Sequence, residues 1–251
     1  MNLSLLKLPL ILVRLVIVVL WIFSGLFCVA LIFPFISRRA RAHINRAWSR
    51  RLMAFCGIRI RVSGRPLLTG PALWVANHVS WIDIFVLNSV RANAFIAKSE
   101  IRRWPLIGWL VAGAGTLFIE RGQRNAVQAM AELVRARFDQ GEAVGLFPEG
   151  TTSEGETVQP FHASLFEPAR AAGVPVQPVV LRFLHQGRRS ALAAFVGEET
   201  LAANLWRVLG ATGLAVEVEF IDPLPMQRAD GTPLSRPELS RHAREAIVAR
   251  L

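Results

Sequence analysis

The stretch LWVANHVSWID, residues 73–83, joins a short apolar run to a polar segment where a helix is expected to begin. Leu73–Ala76 has the length and composition of a buried β-strand. Loops that follow strands are the places where α/β folds carry their functional groups. This stretch therefore predicts an α/β fold in which His78 and Asp83 lie at the carboxyl end of a strand.

Short apolar runs and helical stretches continue to alternate up to the C-terminus, which is typical of an α/β domain. The predicted strands are Leu73–Ala76, Ala94–Ala97, Thr116–Glu120, Ala143–Phe147, Val176–Phe183, Leu192–Val196 and Val216–Ile221. The predicted helices are Ser99–Ala112, Asn125–Phe138 and Glu238–Leu251. We expect one domain over residues 65–251, with a mixed, largely parallel sheet flanked by helices.

The segment that precedes this domain is apolar. Leu15–Ile36 contains no charged residue and is long enough to cross a hydrocarbon core of roughly 30 Å as a helix. Gly25 and Pro34 would also allow it to turn back as a half-inserted helical pair. A signal peptide fits less well, because the run ends in Pro-Phe-Ile-Ser-Arg-Arg and not in a small-residue cleavage site. We predict a membrane anchor over residues 1–37, formed by one helix or by a helical pair.

The net charge of +11 belongs to the N-terminal third of the chain. No Asp or Glu precedes Asp83, whereas eleven Lys and Arg residues occur up to Arg65, and the remaining 18 balance the 18 acidic residues. A basic block directly after an apolar segment favours anionic membrane lipids as partners. Nucleic acid is disfavoured, because its basic contacts would be spread over a recognition surface. The positive-inside rule then predicts an integral or monotopic protein on the cytoplasmic side of a bacterial inner membrane.

A basic amphipathic helix is predicted directly after the anchor, over Arg38–Phe55. Its apolar stripe consists of Ile44, Trp48, Leu52 and Phe55. Such a stripe either lies in the membrane interface or docks on the core of the domain, and both can be true at once. We therefore assign residues 38–64 to this interfacial helix and a linker.

His78 and Asp83 fit a general base and the carboxylate that supports it. Transfer of an acyl group to an alcohol needs a base that titrates near neutral pH, and a carboxylate on the second ring nitrogen fixes the tautomer and stabilises the imidazolium. Positions i and i+5 do not align on an ideal helix, so His78 should precede the helical part. The alternative is that Ser80 and Asp83 merely cap a helix and that His78 is a turn residue.

Two further segments carry candidate binding residues. The turn at residues 147–153 offers Glu149, Gly150 and Thr151, and such a turn can hold a phosphate or a developing oxyanion or can be an ordinary turn. Glu149 would orient an acceptor molecule or hold neighbouring backbone in place. Arg121 ends an apolar run and would contact an acidic headgroup or form a surface ion pair with Glu120.

Several other enzyme classes lack support in this sequence. It contains no Gly-x-Ser-x-Gly nucleophile elbow and no phosphate-binding Gly-x-x-x-x-Gly-Lys-Ser/Thr run, and its five histidines are scattered. We therefore expect neither a lipase nor a nucleotide-dependent enzyme, and no metal site.

Four blocks, taken in their order and spacing, resemble the glycerolipid acyltransferase family of 1-acylglycerol-3-phosphate O-acyltransferases. His78–Asp83 resembles its H-x-x-x-x-D block, Gly115–Arg121 its G-x-x-F-I-D-R block, Phe147–Thr151 its F-P-E-G-T block and Val174–Pro178 its V-P-[VI]-x-P block. The resemblance covers roughly residues 73–183. Glu120 departs from the common Asp of the second block.

The resemblance implies a role for each matching residue. His78 would be the general base, Asp83 its partner and Arg121 a phosphate contact, and Glu149, Gly150 and Thr151 would form the acceptor site. It also implies an acyltransferase domain over residues 65–251, with an acyl path along Lys98–Glu100 and Trp104–Leu110. The acyl donor would be acyl-CoA or acyl-carrier-protein, the lysolipid acceptor would be lysophosphatidate, the product would be phosphatidate, and no cofactor is expected.

Two departures from the family pattern bear on the acceptor. Thr152 stands where many members have Arg, and residues 161–164 stand where lysines often occur. Fewer cations weaken the case for a phosphate monoester, so lyso-ornithine lipid is the alternative acceptor. A non-catalytic membrane adaptor is the third hypothesis, because an anchor and a basic helix alone would suit it.

Overall fold

The computed structural model describes residues 3–119 and 126–251. The helices are α1 (Leu3–Phe27), α2 (Arg38–Phe55), α3 (Ile82–Val90), α4 (Ile107–Gly113), α5 (Ala126–Asp139), α6 (Glu167–Ala172), α7 (Leu201–Leu209) and α8 (Arg236–Val248). The strands are β1 (Ile58–Gly64), β2 (Ala72–Ala76), β3 (Asn93–Lys98), β4 (Leu117–Ile119), β5 (Ala143–Leu146), β6 (Val176–His185), β7 (Arg188–Arg189) and β8 (Leu214–Phe220).

One mixed sheet organises the molecule, with the strand order β1-β8-β6-β2-β5-β3-β4 and β7 paired to β6. Strands β2 to β6 run parallel to one another, whereas β8 is antiparallel to β6 and parallel to β1. The carboxyl ends of β2 and β5 therefore lie next to each other, at the same end of the parallel strands. The predicted mixed, largely parallel sheet flanked by helices is confirmed.

The predicted strand Leu192–Val196 is wrong. This segment is a turn in which the Ala194 N–H donates to the Ala191 carbonyl and the Phe195 N–H donates to the Val79 carbonyl. Ala193 and Ala194 are buried and the other three side chains are half-buried, all without strand pairing, and composition alone does not separate such a loop from a buried strand.

Strand β1 corrects the prediction for residues 58–64, which we assigned to a linker. Ile58–Gly64 pairs in parallel with β8 at the edge of the sheet. Its sequence IRIRVSG alternates apolar with polar residues, which is the period-2 pattern of an edge strand with one solvated face. The arginines between its apolar positions led us to treat it as part of the basic linker.

The predicted helix Ser99–Ala112 consists of two shorter elements. Ser99–Arg103 is a 3-10 helix, and α4 begins only at Ile107. Pro105 and the left-handed backbone of Leu106, with φ of 61°, separate them. Helices α5 and α8 lie where helices were predicted, although Asn125 is outside the described residues, and α6 and α7 were not predicted.

Apolar clusters cover both faces of the sheet. One cluster joins the sheet to α1, α2, α3 and α7, and the other joins it to α5, α6 and α8. The stripe of α2 belongs to the first cluster, since Trp48 is 8% exposed and Leu52 is 4% exposed. Of the two hypotheses for this stripe, docking on the domain is therefore the one that the structure shows.

Helix α1 lies along the domain over most of its length. The Arg14 guanidinium donates to the carbonyls of Leu209 and Ala211 at 2.9 and 2.6 Å. The indoles of Trp21 and Trp48 each donate to the backbone carbonyl of the other, at 3.1 and 3.2 Å. Gly25 then lets the helix approach closely, because a Cβ there would be 2.8 Å from the side chain of Leu110.

The other face of α1 is apolar and exposed. Its exposed side chains include Val13, Val16, Leu20, Phe23 and Phe27. Lys7–Phe35 is the single helical stretch among the described residues that is long and apolar enough to cross a membrane. Because its inner face packs on the domain, only one side of α1 is exposed.

Replacement of Gly25 by Leu should push α1 away from the domain. The added side chain would meet Leu110 and Trp48, and overpacking of this kind costs about 1–3 kcal/mol, which exceeds the gain of under about 1 kcal/mol in helix propensity. We expect a lower unfolding free energy in detergent, whereas Phe23→Leu on the exposed face leaves it unchanged. Equal effects of the two substitutions would show that α1 does not pack on the domain.

Candidate active site

Two loops meet at the edge of the sheet where β2 and β5 end. Val75 pairs with Leu146, so residues 77–81 and 147–153 follow neighbouring strands. The buried side chain of Asn77 holds the first loop against β6, because its amide donates to the Leu181 carbonyl at 3.0 Å and accepts from the Leu181 N–H at 2.8 Å. The loop that carries His78 is thereby fixed at its first residue.

The side chains of His78 and Asp83 are in direct contact, as the sequence predicts. Nδ1 of His78 lies 2.8 Å from Oδ2 of Asp83, and α3 begins at Ile82, so His78 precedes the helix. Asp83 is fully buried, and the same oxygen accepts the backbone N–H groups of Val79 at 2.7 Å and Ser80 at 2.9 Å. One carboxylate therefore orients the imidazole and also holds the loop.

This geometry supports only part of the hypothesis that Ser80 and Asp83 cap a helix. Asp83 does accept backbone N–H groups ahead of α3, as a capping residue would. The Ser80 hydroxyl, however, is buried and makes no hydrogen bond, and Trp81 occupies the N-cap position without a side-chain cap. The contact of Asp83 with His78 is therefore an addition to a backbone role and not a by-product of a capping box.

An aromatic stack supports the imidazole ring. The ring of His78 lies 4.1 Å from that of Phe147, at 13° between planes, and Phe147 stacks in turn on Phe95 at 5.7 Å. Gly145 makes room for this stack, since a Cβ there would be 2.2 Å from the Phe95 ring. The side chain of His78 remains 20% exposed, so a reactant can reach it.

Glu149 binds the backbone on both sides of the second loop. Its Oε1 accepts the His78 N–H at 2.7 Å, and its Oε2 accepts the Gln159 N–H at 2.8 Å. Burial raises the pKa of this carboxyl above its ordinary value, while the hydrogen bonds from Gln159 and His78 act in the opposite direction. Of the two roles that we considered for Glu149, holding neighbouring backbone is the one that these contacts support.

The remaining residues of the second loop face different ways. The Ser153 N–H donates to the His78 carbonyl at 2.8 Å, and the Thr152 hydroxyl donates to the Phe195 carbonyl. Gly150 has a φ of 72°, which favours glycine, and Thr151 beside it is exposed. The loop therefore exposes Thr151, while Ser153 ties it to the loop of His78 and Thr152 ties it to the turn at Phe195.

An apolar cavity of about 300 Å³ lies next to the aromatic stack. Phe95 forms part of its wall, and α1, α2, α3, β3, α4 and α7 contribute the rest. Trp104, Ile107 and Leu110 line it, which agrees with the predicted position of the Trp104–Leu110 segment along an acyl path. A cavity with so few polar groups is suited to a hydrocarbon chain.

Some predicted site residues are not tested by this geometry. Arg121 and Glu120 lie outside the described residues, so the role of Arg121 as a phosphate contact stays a prediction. Two described arginines lie near the second loop, and both donate to backbone carbonyls: Arg189 to Gly155 and Arg244 to Val158. Over residues 3–119 and 126–251, no group of three or more His, Cys, Asp or Glu side chains is placed to hold a metal ion.

Several supporting residues were missed because they act from distant parts of the chain. The Trp81 indole donates to Asn204 at 2.9 Å, and the amide of Asn204 donates to the Ala194 carbonyl and to Glu199. This network joins α7 to the loop of His78. A single buried Asn on an unpredicted helix gives no sequence signal for such a contact.

The arrangement can perform base catalysis. When Nδ1–H of His78 donates to Asp83, the lone pair on Nε2 is available to accept a proton. The buried carboxylate then stabilises the imidazolium that forms, as in a serine hydrolase triad in which a substrate hydroxyl replaces the serine. The adjoining apolar cavity indicates that the reactants carry hydrocarbon chains.

Removal of the Asp83 carboxylate should destabilise the loop of His78. Asp83→Ala leaves the buried N–H groups of Val79 and Ser80 without an acceptor, at about 1–3 kcal/mol for each. We expect a loss on the order of 2–6 kcal/mol in the free energy of unfolding, measured with urea in detergent micelles. Asp83→Asn keeps an acceptor oxygen and should lose less than half as much; similar losses in both variants would contradict the assigned contacts.

The sequence and the fold both match known proteins. A family model described as Acyltransferase matches residues 59–182. The lyso-ornithine lipid O-acyltransferase of Pseudomonas aeruginosa is 39% identical over 207 residues, which cover 82% of this chain and 78% of that protein. The 1-acyl-sn-glycerol-3-phosphate acyltransferase of Neisseria gonorrhoeae is 38% identical over 161 residues, and the chain spans 63% of its length.

A crystal structure shows the same fold. The 1-acyl-sn-glycerophosphate acyltransferase PlsC of Thermotoga maritima superposes with a TM-score of 0.74 at 23% identity, over 99% of this chain and 95% of that one. The similarity to the Pseudomonas relative extends over most of both proteins. This chain therefore belongs to the acyltransferase family that includes the lyso-ornithine lipid and 1-acyl-sn-glycerol-3-phosphate acyltransferases.

Proposed function

We propose that this enzyme transfers a fatty acyl group from a thioester donor to the free hydroxyl of a lysolipid, with His78 as the general base. The observation that carries the proposal is the contact of His78 with the buried carboxylate of Asp83 at a strand end, beside an apolar cavity. A non-catalytic adaptor would not need this pair, and membership of an acyltransferase family removes that hypothesis.

In the proposed reaction the acyl group moves in one transfer from the sulfur of the donor thioester to the oxygen of the acceptor hydroxyl. Nε2 of His78 takes the proton of the acceptor hydroxyl while that oxygen attacks the thioester carbonyl carbon. The imidazolium, stabilised by Asp83, then gives the proton to the departing sulfur as the carbon–sulfur bond breaks. One ester and one free thiol are formed, and the proposal requires neither a cofactor nor a metal ion. The donor is acyl-CoA or acyl-carrier-protein.

The second loop would position the acceptor. Gly150 and Thr151 belong to the loop that Ser153 and Glu149 join to His78, and they would contact the polar part of the lysolipid. Glu149 would act through the backbone of His78, since both of its oxygens already bind backbone N–H groups. The apolar cavity would take the acyl chain, because its wall is continuous with the aromatic stack under the imidazole.

Lyso-ornithine lipid is the acceptor that we favour over lysophosphatidate. Its headgroup carries one carboxylate and one ammonium group, whereas a phosphate monoester carries a charge of about −1.5 to −2 and needs strong cationic contacts. Arg189 and Arg244 are occupied by backbone carbonyls, and Thr152 replaces a cation of the family pattern. The 39% identity with the Pseudomonas enzyme also extends further along the chain than the match to the Neisseria enzyme. Lysophosphatidate, the acceptor expected from the sequence, becomes the second candidate, supported by the Neisseria relative and by the match of Arg121 to the family pattern.

The membrane surface is the proposed location of the reaction. The exposed apolar face of α1 would enter one leaflet while its inner face stays on the domain, which fits a half-inserted anchor better than a free transmembrane helix. The basic residues that follow support a position on the cytoplasmic side of a bacterial inner membrane. A lysolipid in that leaflet would reach His78 without leaving the bilayer.

Replacement of His78 by Ala should abolish acyl transfer without loss of the protein from membranes. General-base help accounts for about 10²–10⁴ in rate, so we expect at least a hundredfold fall in kcat in a radiolabelled acyl-transfer assay. His185→Ala removes an imidazole at the far end of β6 and serves as the matched control. Retention of normal activity in the His78 variant would rule out this mechanism.

A competition assay should identify the acceptor. Purified enzyme receives lyso-ornithine lipid and lysophosphatidate together in equal amounts, with one acyl donor, and the two products are separated by chromatography. We expect the specificity constant kcat/KM to favour lyso-ornithine lipid by about tenfold or more, the ratio that corresponds to about 1.4 kcal/mol. A preference for lysophosphatidate would reverse the assignment while leaving the role of His78 intact.

A further inference from the structure

A cleft of about 820 Å³ lies at the amino ends of the parallel strands, whereas His78 follows the carboxyl end of β2. The first half of α2 forms one wall, and the segments that precede β2, β3, β4 and β5 form the other. No residue of this cleft belongs to the loops of His78 or Glu149. Its arginines are Arg38, Arg39, Arg41, Arg46, Arg91 and Arg137.

The cleft is strongly positive. Glu142 is the single acidic side chain among the described residues that line it, and it pairs with Arg137 at 3.0 Å, so six positive charges face one negative charge there. Arg91 donates to the carbonyls of Leu67, Gly70 and Gly141. Burial lowers its pKa below the ordinary value, and Glu142 opposes this effect.

Arg38 and Arg39 are exposed residues that line the cleft. Over the described ranges 3–119 and 126–251, neither guanidinium group makes a hydrogen bond or an ion pair. A concave surface with six guanidinium groups and one carboxylate among its described lining residues favours an anion, and guanidinium groups bind phosphate through paired N–H donors.

The cleft adjoins apolar residues at the end of the N-terminal helical segment. Phe33 lines the cleft, and Phe35, two residues further, is 85% exposed at the turn between α1 and α2. Leu31 on the preceding turn is exposed as well. A ligand here would meet hydrocarbon at the rim and cations inside, which is the order of groups at the level of lipid headgroups.

From these contacts we propose that the cleft binds the headgroup phosphate of an anionic membrane phospholipid that is not a substrate. The site is separate from the reaction, because the carboxyl ends of β2 and β5 carry His78 on the other edge of the sheet. An acidic carrier protein fits less well. Its acyl arm would have to pass through the apolar cavity to reach His78.

The bound lipid would stabilise the wall that the apolar cavity shares with the cleft. The cleft and the cavity share four wall residues, Phe33, Asn45, Asn93 and Ala114. A phosphate held between α2 and the segment before β3 would therefore fix the wall that separates the two spaces. The site links membrane composition to the shape of the cavity.

Two double variants of one helix test the proposal. Arg38→Gln with Arg39→Gln removes two charges from the cleft, and Arg50→Gln with Arg51→Gln removes two exposed charges of α2 outside it. The full-length protein is partitioned between phosphatidylglycerol and phosphatidylcholine vesicles. We expect the preference for phosphatidylglycerol to fall about tenfold or more in the first variant and to change little in the second. Equal falls would show a general surface charge effect and would overturn the site.

A second experiment distinguishes binding of the lipid in the cleft from binding of other anions. In neutral detergent, a short-chain phosphatidylglycerol should raise the Tm of the parent protein but not of the Arg38/Arg39 variant. An equal rise with inorganic phosphate would assign the cleft to free phosphate instead. A raised KM for acyl-carrier-protein in that variant, with unchanged vesicle preference, would assign it to the carrier protein. The vesicle and Tm measurements do not depend on the proposed acceptor or on His78.

Discussion

The buried carboxylate of Asp83 is the constraint on which the rest of the site depends. Its oxygen Oδ2 contacts Nδ1 of His78 and accepts the backbone N–H groups of Val79 and Ser80. Because an unpaired buried carboxylate is costly, these donors and the loop that supplies them are fixed together. Glu149, in the loop after β5, also holds the loop of His78, because its Oε1 accepts the His78 N–H. Two carboxylates thus define the position of one imidazole.

The N-terminal helices form part of the active region and also carry the exposed apolar face that would attach the protein to a membrane. α1 and α2 supply one wall of the apolar cavity, and the indoles of Trp21 and Trp48 fasten them to each other. The exposed face of α1 is therefore one helix diameter away from the cavity. In this geometry the exposed apolar helix and the apolar cavity are parts of one structure.

The sequence predicts this site better than it predicts the fold around it. His78 and Asp83 were found because a short-range spacing carries their contact, and β2 and β5 were found because buried strands are apolar runs. Leu192–Val196 was mistaken for a strand because burial in a loop has the same composition. The bonds of Asn204 to Trp81 and of Gln159 to Glu149 join distant segments, so no local pattern reports them.

Chemical rescue is the measurement that tests the role of His78 most directly. In a His78→Gly variant, the space left by the ring would admit free imidazole beside the Phe147 ring and Asp83. If the ring acts as the base, added imidazole restores acyl transfer in single turnovers, and the restored rate follows the fraction of neutral imidazole as pH changes. A folded, substrate-binding variant that imidazole does not restore would contradict the account.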